Sequence, residues 1–225
     1  QAQGGTLHTG YRVQRIARGP AGSTGWRVDD APFDAVVLAT TSTEAARLVL
    51  TAQTAHPTLQ GPEAAALQAW ARKAQALRFT AIATVYAQTS ALPQGTVLSQ
   101  PMLALRPGAG KPAQFVFDRM QLGGPAGLLA FVVSASEGDR ATLEREVLQQ
   151  AQDQLGLQGL RIVQTVVEKR ATFACTPALQ RPPQTVANGL CACGDYIEGP
   201  YPATLEGAVL SGTAAAGTPV AATMA

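Results

Sequence analysis

One stretch near the C-terminal end constrains this chain more than any other: Cys193-Gly194-Asp195-Tyr196-Ile197-Glu198-Gly199-Pro200-Tyr201-Pro202-Ala203-Thr204-Leu205-Glu206-Gly207-Ala208-Val209-Leu210-Ser211-Gly212. It reads as the end of a buried strand, a loop rich in Gly and Pro, and a helix of small residues starting near Thr204. A Thr at that point can cap the first turn, and the remaining N–H groups of the turn stay free for a ligand. Glu206 in the same turn complements the helix dipole or caps it. Gly207 and Gly212, with Ala208 and Ser211, predict close packing of the helix. Taken alone, the stretch equally fits an ordinary strand-loop-helix with a small-residue packing face, because Gly-rich loops are common.

Composition bounds the kind of chain that carries it. With 225 residues, 46% hydrophobic and 14% charged, the chain can bury a large core as one large domain or two small ones, and general disorder is excluded. The net charge is +2 with no basic block, so nothing points to nucleic acid. Cys175, Cys191 and Cys193 are too few for a disulfide framework. Cys191-Ala192-Cys193 also lacks a second pair that could close a zinc site. The three read as small buried residues, and no metal is expected. His8 and His56 stand at no triad or metal-site spacing and read as surface residues. No apolar run approaches the roughly 18 residues of a membrane span, and no signal peptide is visible. The expectation is a cytoplasmic protein, soluble or peripheral to the inner face of the membrane. The chain opens at Gln1-Ala2-Gln3 without an initiator Met, which reads as entry midway through a fold.

In chain order, Tyr11–Ile16 reads as a short strand joined by a Gly-rich turn, Gly19–Gly25, to Trp26-Arg27-Val28, forming a hairpin or meander. The continuous apolar run Ala35–Thr40 suits a central strand covered on both faces, with Ser42 or Thr43 capping a helix over Glu44–Leu50. Thr51–Pro62 is turn-rich, and Glu63–Ala76 has helical propensity. Four strand candidates follow at antiparallel-sheet spacing: Ala81–Tyr86, Thr96–Leu98, Gln114–Asp118 and Gly127–Ser134. A helix runs from Asp139 to about Leu155, with Gly156 as its stop. Leu160–Glu168 alternates as a strand, and a Pro-rich connection, Thr176–Pro183, leads to the buried strand Leu190–Cys193. The tail Ala214–Ala225 is expected to fray.

Three stretches then match one pattern. Gly194-Asp195 with Tyr201–Gly212 resembles the C-terminal flavin-binding motif of the flavin-containing amine oxidase and phytoene desaturase superfamily. Glu168-Lys169-Arg170-Ala171-Thr172-Phe173 with Pro177, Phe117-Asp118-Arg119 and Leu128–Ser136 narrow the resemblance to the hydroxysqualene dehydroxylases of bacterial hopanoid pathways. The fold this implies is α/β (α+β): a partial FAD/NAD(P)-binding Rossmann-like layer lacking its N-terminal βαβ, plus an antiparallel-sheet substrate domain with helices. Its boundaries are 1–50 for part of the FAD-binding domain, 51–183 for the substrate domain, and 184–225 for the return. Members of the superfamily also carry G-x-G-x-x-G after an N-terminal strand to hold the pyrophosphate. Gly19-x-x-Gly22 and Gly108-x-Gly110 lie in turns and do not complete that pattern, so the chain reads as a C-terminal part of a longer enzyme, inactive alone and binding FAD weakly or not at all, with FAD held in the full-length protein.

The resemblance also assigns roles. Gly194 would allow close backbone approach and Asp195 would accept from a ribitol hydroxyl; the alternative for Asp195 is a carboxylate capping the following loop. Ala203-Thr204-Leu205 would sit at the helix N-terminus, facing the pyrimidine edge of the flavin ring, where the positive helix end stabilises negative charge. Val13 matches a strand position whose backbone contacts adenine, with sheet packing as its alternative. The implied reaction is reductive dehydroxylation of hydroxysqualene to squalene. The C30 isoprenoid would be held by Val85, Tyr86, Phe115, Phe117 and Phe131. No protein group is assigned as the catalytic residue. The alternatives are a carotenoid (phytoene-type) desaturase, a flavin-containing amine oxidase, or a non-catalytic, cofactor-free module whose sheet is an interaction surface. An amine oxidase would need an aromatic cage, for which only Tyr196 and Tyr201 offer themselves. The oligomeric state stays open.

Overall fold

The structure, a computed structural model, describes residues 4–20, 25–54, 61–89 and 96–217. His56 and most of the tail expected to fray lie outside the described residues, whereas Ala214–Ala216 are helical. Two compact units emerge, Gln1–Leu77 with Cys175–Ala225, and Arg78–Ala174.

In the first unit, β1 (Ile16–Arg18), β2 (Trp26–Val28) and β3 (Ala31–Phe33) form an antiparallel meander. Pairing begins at Ile16, at the end of the expected strand Tyr11–Ile16, because the backbone of the preceding residues is taken by side chains. A second sheet has the order β10-β11-β4, from Thr185–Ala187, Leu190–Ala192 and Val36–Leu38. Its β11·β4 pair is parallel, with Cys191 opposite Val37. The apolar run over β4 predicts a strand covered on both faces. Instead β4 is the edge of the described sheet and Val37 is 46% exposed. An apolar run signals a strand but says nothing of its neighbours.

Helix α1 (Ser42–Thr54) starts on Thr41, whose Oγ1 accepts from the Glu44 N–H at 3.4 Å, in place of the expected Ser42 or Thr43. The Ser42 hydroxyl is buried without a partner. Helix α2 (Pro62–Gln75) packs against α1 and buries Leu67, Trp70, Ala71 and Ala74. Its Trp70 Nε1 donates to the Pro183 carbonyl at 2.7 Å. This puts α2 in the first unit, on the other side of the boundary drawn at residue 51; its Ala-rich pattern specifies a helix and leaves the partner of its apolar stripe unspecified.

The second unit is one antiparallel sheet of order β6-β7-β8-β5-β9, from Met102–Ala104, Phe115–Asp118, Leu128–Ser134, Phe79–Gln88 and Arg161–Phe173, with helix α3 (Arg140–Leu155) packed on it. Thr96–Leu98 is no strand. The Val97 and Leu98 N–H groups donate to Asp118 Oδ2 at 2.8 and 3.1 Å, so a buried carboxylate replaces a neighbouring strand as their acceptor. The Met120 N–H and the Gln121 amide also reach Asp118. Burial pushes the Asp118 carboxyl up, but these donors outweigh it and hold it below the usual carboxylate range. Asp139 caps α3 through Thr142 N at 2.9 Å, and Gly156 ends it at φ +68, as its sequence predicts.

Pleating divides the side chains of this sheet between two faces. Ala83, Val85, Ala87, Val116, Leu129, Phe131 and Val133 pack with Leu143, Val147 and Ala151 of α3. The opposite face carries the cross-strand row Met102, Phe117, Ala130, Tyr86 and Gln164, and beside it Ala104, Phe115, Val132, Thr84 and Val166. Met102 is 48% and Phe115 39% exposed.

Candidate cofactor site

Helix α4 (Leu205–Ala216) begins where its sequence predicts. Thr204 is extended, and its Oγ1 accepts from Gly207 N at 3.0 Å while Ala208 N bonds the Thr204 carbonyl. No partner in the described structure takes the Leu205 or Glu206 N–H. The helix therefore ends in two free donors at its positive pole. The approach to it is strained, since Tyr201 and Ala203 hold φ of +53 and +58. The Ala203 N–H donates to the Asp195 carbonyl at 3.3 Å, which folds the loop back so that Asp195 and the helix start adjoin. Arg181 fastens the loop by donating to the carbonyls of Ile197, at 2.7 Å, and Gly199.

Burial pushes the Asp195 carboxyl up, against the pull of its own and the Tyr196 backbone N–H and of the Arg181 charge. Those two N–H contacts belong to the loop-capping alternative; they leave the burial cost uncompensated. Gly194 differs from expectation. Its N–H donates to Ser211 Oγ at 3.2 Å, and a Cβ at its φ of +153 would meet the Tyr196 ring at 2.8 Å. The close approach it permits is that of the protein's own aromatic ring. Gly207 is required for packing, because a Cβ there would lie 2.2 Å from the Tyr201 carbonyl oxygen. Gly212 is not, since a Cβ there would meet nothing within 4 Å.

The expected adenine contact, Val13, lies outside β1 in a segment wired by side chains. Arg47 donates to the carbonyls of Gln14 and Val13 at 2.7 and 2.8 Å, and Arg47 is itself gripped by Glu44 at 2.7 Å. Asp29 Oδ1 accepts from the N–H groups of Gln14 and Arg15, each at 3.0 Å. Asp29 N donates to the Arg15 carbonyl, and Thr51 Oγ1 takes the Ile16 N–H. From Val13 to Ile16 the Val13 N–H is the one peptide donor without a partner in the described structure. Sequence reasoning missed Arg47; the Glu44-x-x-Arg47 spacing on a helix face is the only signal it gave.

The apolar residues of the antiparallel layer expected to hold the substrate separate. Tyr86, Phe115 and Phe117 share the sheet face away from α3, while Val85 and Phe131 lie at 0% exposure beneath α3 and are core. Their strand positions alternate, which sends neighbours to opposite faces. Cys175 is exposed, contrary to its reading as buried; Cys191 is buried, Cys193 half-buried, and none of the three forms a disulfide among the described residues. His8 is exposed. No helix among the described residues is long and apolar enough to cross a membrane.

The profile of the flavin-containing amine oxidoreductases matches residues 1–218. The chain belongs to that family. Solved structures resemble it in fold: an oxidoreductase from Methanosarcina mazei (TM-score 0.63, 18% identity, 95% of this chain and 50% of that one); a candidate protoporphyrinogen oxidase from Exiguobacterium sp. (0.53, 15%, 90% and 44%); and the PF1083 protein of Pyrococcus furiosus (0.55, 9%, 87% and 43%). The chain thus spans about half the length of these structures. A search of curated proteins finds no match. The residues present fit the flavin end of the cofactor that gives the family its name: two free N–H groups at a helix N-terminus stand beside a half-buried carboxylate whose charge burial disfavours.

Proposed function

We propose that the protein is an FAD-dependent oxidoreductase that converts hydroxysqualene to squalene, with this chain supplying the flavin-ring end of the site and the apolar substrate layer. The observation that carries the cofactor part is the α4 N-terminus, with the Leu205 and Glu206 N–H groups free and Asp195 next to it in the loop. When bound and reduced by an external two-electron donor, the flavin would supply hydride to a substrate carbon while the allylic hydroxyl takes up a proton and leaves as water. The chain's own part is electrostatic: the positive helix end favours negative charge at the pyrimidine edge. Asp195 accepts from a ribitol hydroxyl, and that bond replaces the hydration its burial removes. Gly194 serves indirectly, letting the Tyr196 ring pack beneath the loop.

Tyr86, Phe115 and Phe117 offer an apolar face to a polyisoprene, which has almost no polar handle. The carbon skeleton is therefore the less constrained part of the reading. A carotenoid desaturase shares the α4 motif and needs the same face. An amine oxidase fits less well, because Tyr196 is 3% exposed and packed on Gly194, leaving only Tyr201 of the two tyrosines a cage would use. Incubating the full-length protein with hydroxysqualene, phytoene and a primary amine, and analysing the products, separates the three. Squalene from hydroxysqualene is expected; desaturated phytoene or aldehyde in its place overturns the substrate assignment.

A further inference from the structure

The sheet face away from α3 carries few polar side chains, and most of the longer ones are tied to nearby backbone. Gln88 donates to the Ala126 carbonyl at 2.9 Å, and Glu168 accepts from the Arg170 N–H at 3.0 Å. The Tyr86 hydroxyl and the Gln164 carboxamide form no hydrogen bond among the described residues, and they stand directly opposite each other on β5 and β9. Opposed residues of an antiparallel pair hold their Cβ atoms about 5 Å apart, so one small group can reach both side chains. Away from β9 the same row continues from Tyr86 through Ala130 and Phe117 to Met102. A strip three strand spacings long, about 14 Å, is therefore apolar until it reaches this pair. Thr84 in the next row is flanked by Val132 and Val166 and offers a single hydroxyl. Strand β9 also carries an extra residue beside the pair: Tyr86 faces Gln164 and Ala87 faces Ile162, which leaves Val163 as a bulge. Such bulges re-aim a side chain and recur next to functional sites.

The pair is neutral and complete for one kind of group. A phenol and a carboxamide together supply the donors and the acceptor that an alcohol needs, with its one O–H and two lone pairs. An ammonium would look for a counter-charge, but the carboxylate on this face, Glu168, lies four residues along β9, about 13 Å off. A pure hydrocarbon would strip water from both groups and return no hydrogen bond.

We infer that Tyr86 and Gln164 form a hydroxyl-recognition subsite: an isoprenoid arm lies along Met102, Phe117 and Ala130, and its allylic hydroxyl is held between the phenol and the carboxamide. The pair makes this face select the alcohol over a hydrocarbon of the same skeleton, because a site with buried polar groups rejects a ligand that leaves them unpaired. This rests on the proposed hydroxysqualene reading and adds the groups that read its hydroxyl.

The test uses the full-length protein, immobilised and equilibrated with radiolabelled hydroxysqualene or squalene in detergent micelles. The parent is expected to hold hydroxysqualene more tightly than squalene by about tenfold or more. Tyr86→Phe and Gln164→Leu, which keep size and lose the polar group, are each expected to cut that preference about five- to tenfold by weakening hydroxysqualene, with squalene unchanged. A parent without the preference, a variant that keeps it, or equal weakening of both ligands, which marks a packing role, overturns the inference. Product analysis of the parent separates the two levels. Squalene formed from hydroxysqualene while the variants keep the preference overturns the subsite and spares the reading. Phytoene desaturated with no squalene formed overturns the reading itself.

Discussion

Helices α3 and α4 begin in the same way and end as opposites. Each opens on a side-chain oxygen that accepts from the N–H three residues on, Asp139 from Thr142 and Thr204 from Gly207. Beyond that cap, α3 turns Leu143, Val147 and Ala151 onto a sheet face and closes it, with Gln150 buried beside them on the Ala113 backbone. Of its described residues α4 buries only Gly207 and Ala215, and leaves Leu205 88% and Val209 64% exposed. One helix completes a core; the other offers its first turn. The contrast shows that a good cap does not distinguish a structural helix from a ligand-facing one. The distinction comes from what the apolar residues cover.

The largest expected effect attacks that contrast directly. Leu143→Ala in α3 should lower unfolding free energy by about 2–5 kcal/mol, the cost of a truncated core side chain. Leu205→Ala, on a side chain left in solvent, should stay within about 0.5 kcal/mol. Urea denaturation of the two variants measures both, and comparable losses would mean that α4 is a core helix after all.

A smaller effect separates the two glycines of α4. Gly207→Ala drives a methyl into the Tyr201 carbonyl and should cost about 1–3 kcal/mol. Gly212→Ala enters open space and should stabilise the helix by about 0.5–1 kcal/mol. Thermal melts followed by circular dichroism read the opposite signs. If both variants melt lower, the space beside Gly212 is not free.

The smallest effect is a pH dependence. Burial raises the Asp195 pKa in the folded state, so the native chain binds this proton more tightly than the unfolded one. Its contribution is therefore absent below the unfolded value of about 3.9 and turns unfavourable as pH rises through the folded value. Asp195→Asn should be more stable than the parent at pH 7 and equal to it at low pH. A variant less stable at pH 7 would mean that the carboxylate serves the loop and not a ligand.

Much of this was legible in the sequence where the determinants are local. Asp139 and Gly156 bound α3 in the chain itself, and Thr204 with Gly207 set the start of α4. What failed were pairings that depend on residues far away. Thr96–Leu98 has strand composition, but its N–H groups find Asp118, some twenty positions on. The run at β4 reads as central, yet the neighbour on one side is absent from the described sheet. Val85 and Phe131 were grouped with Tyr86, Phe115 and Phe117 because all are large and apolar. Only the pleat and the position of α3 decide which face each occupies. Arg47 was invisible for the same reason: its partners are carbonyls, which every residue carries, more than thirty positions upstream.

The central claim is that the first turn of α4 receives the flavin ring. Amide hydrogen exchange at Leu205 and Glu206, measured in the full-length protein with and without saturating FAD, tests it most directly. The account predicts that these two amides slow when FAD binds while the exposed face of α3 does not change. FAD bound, as its absorbance reports, with Leu205 and Glu206 exchanging at their free rate would contradict it.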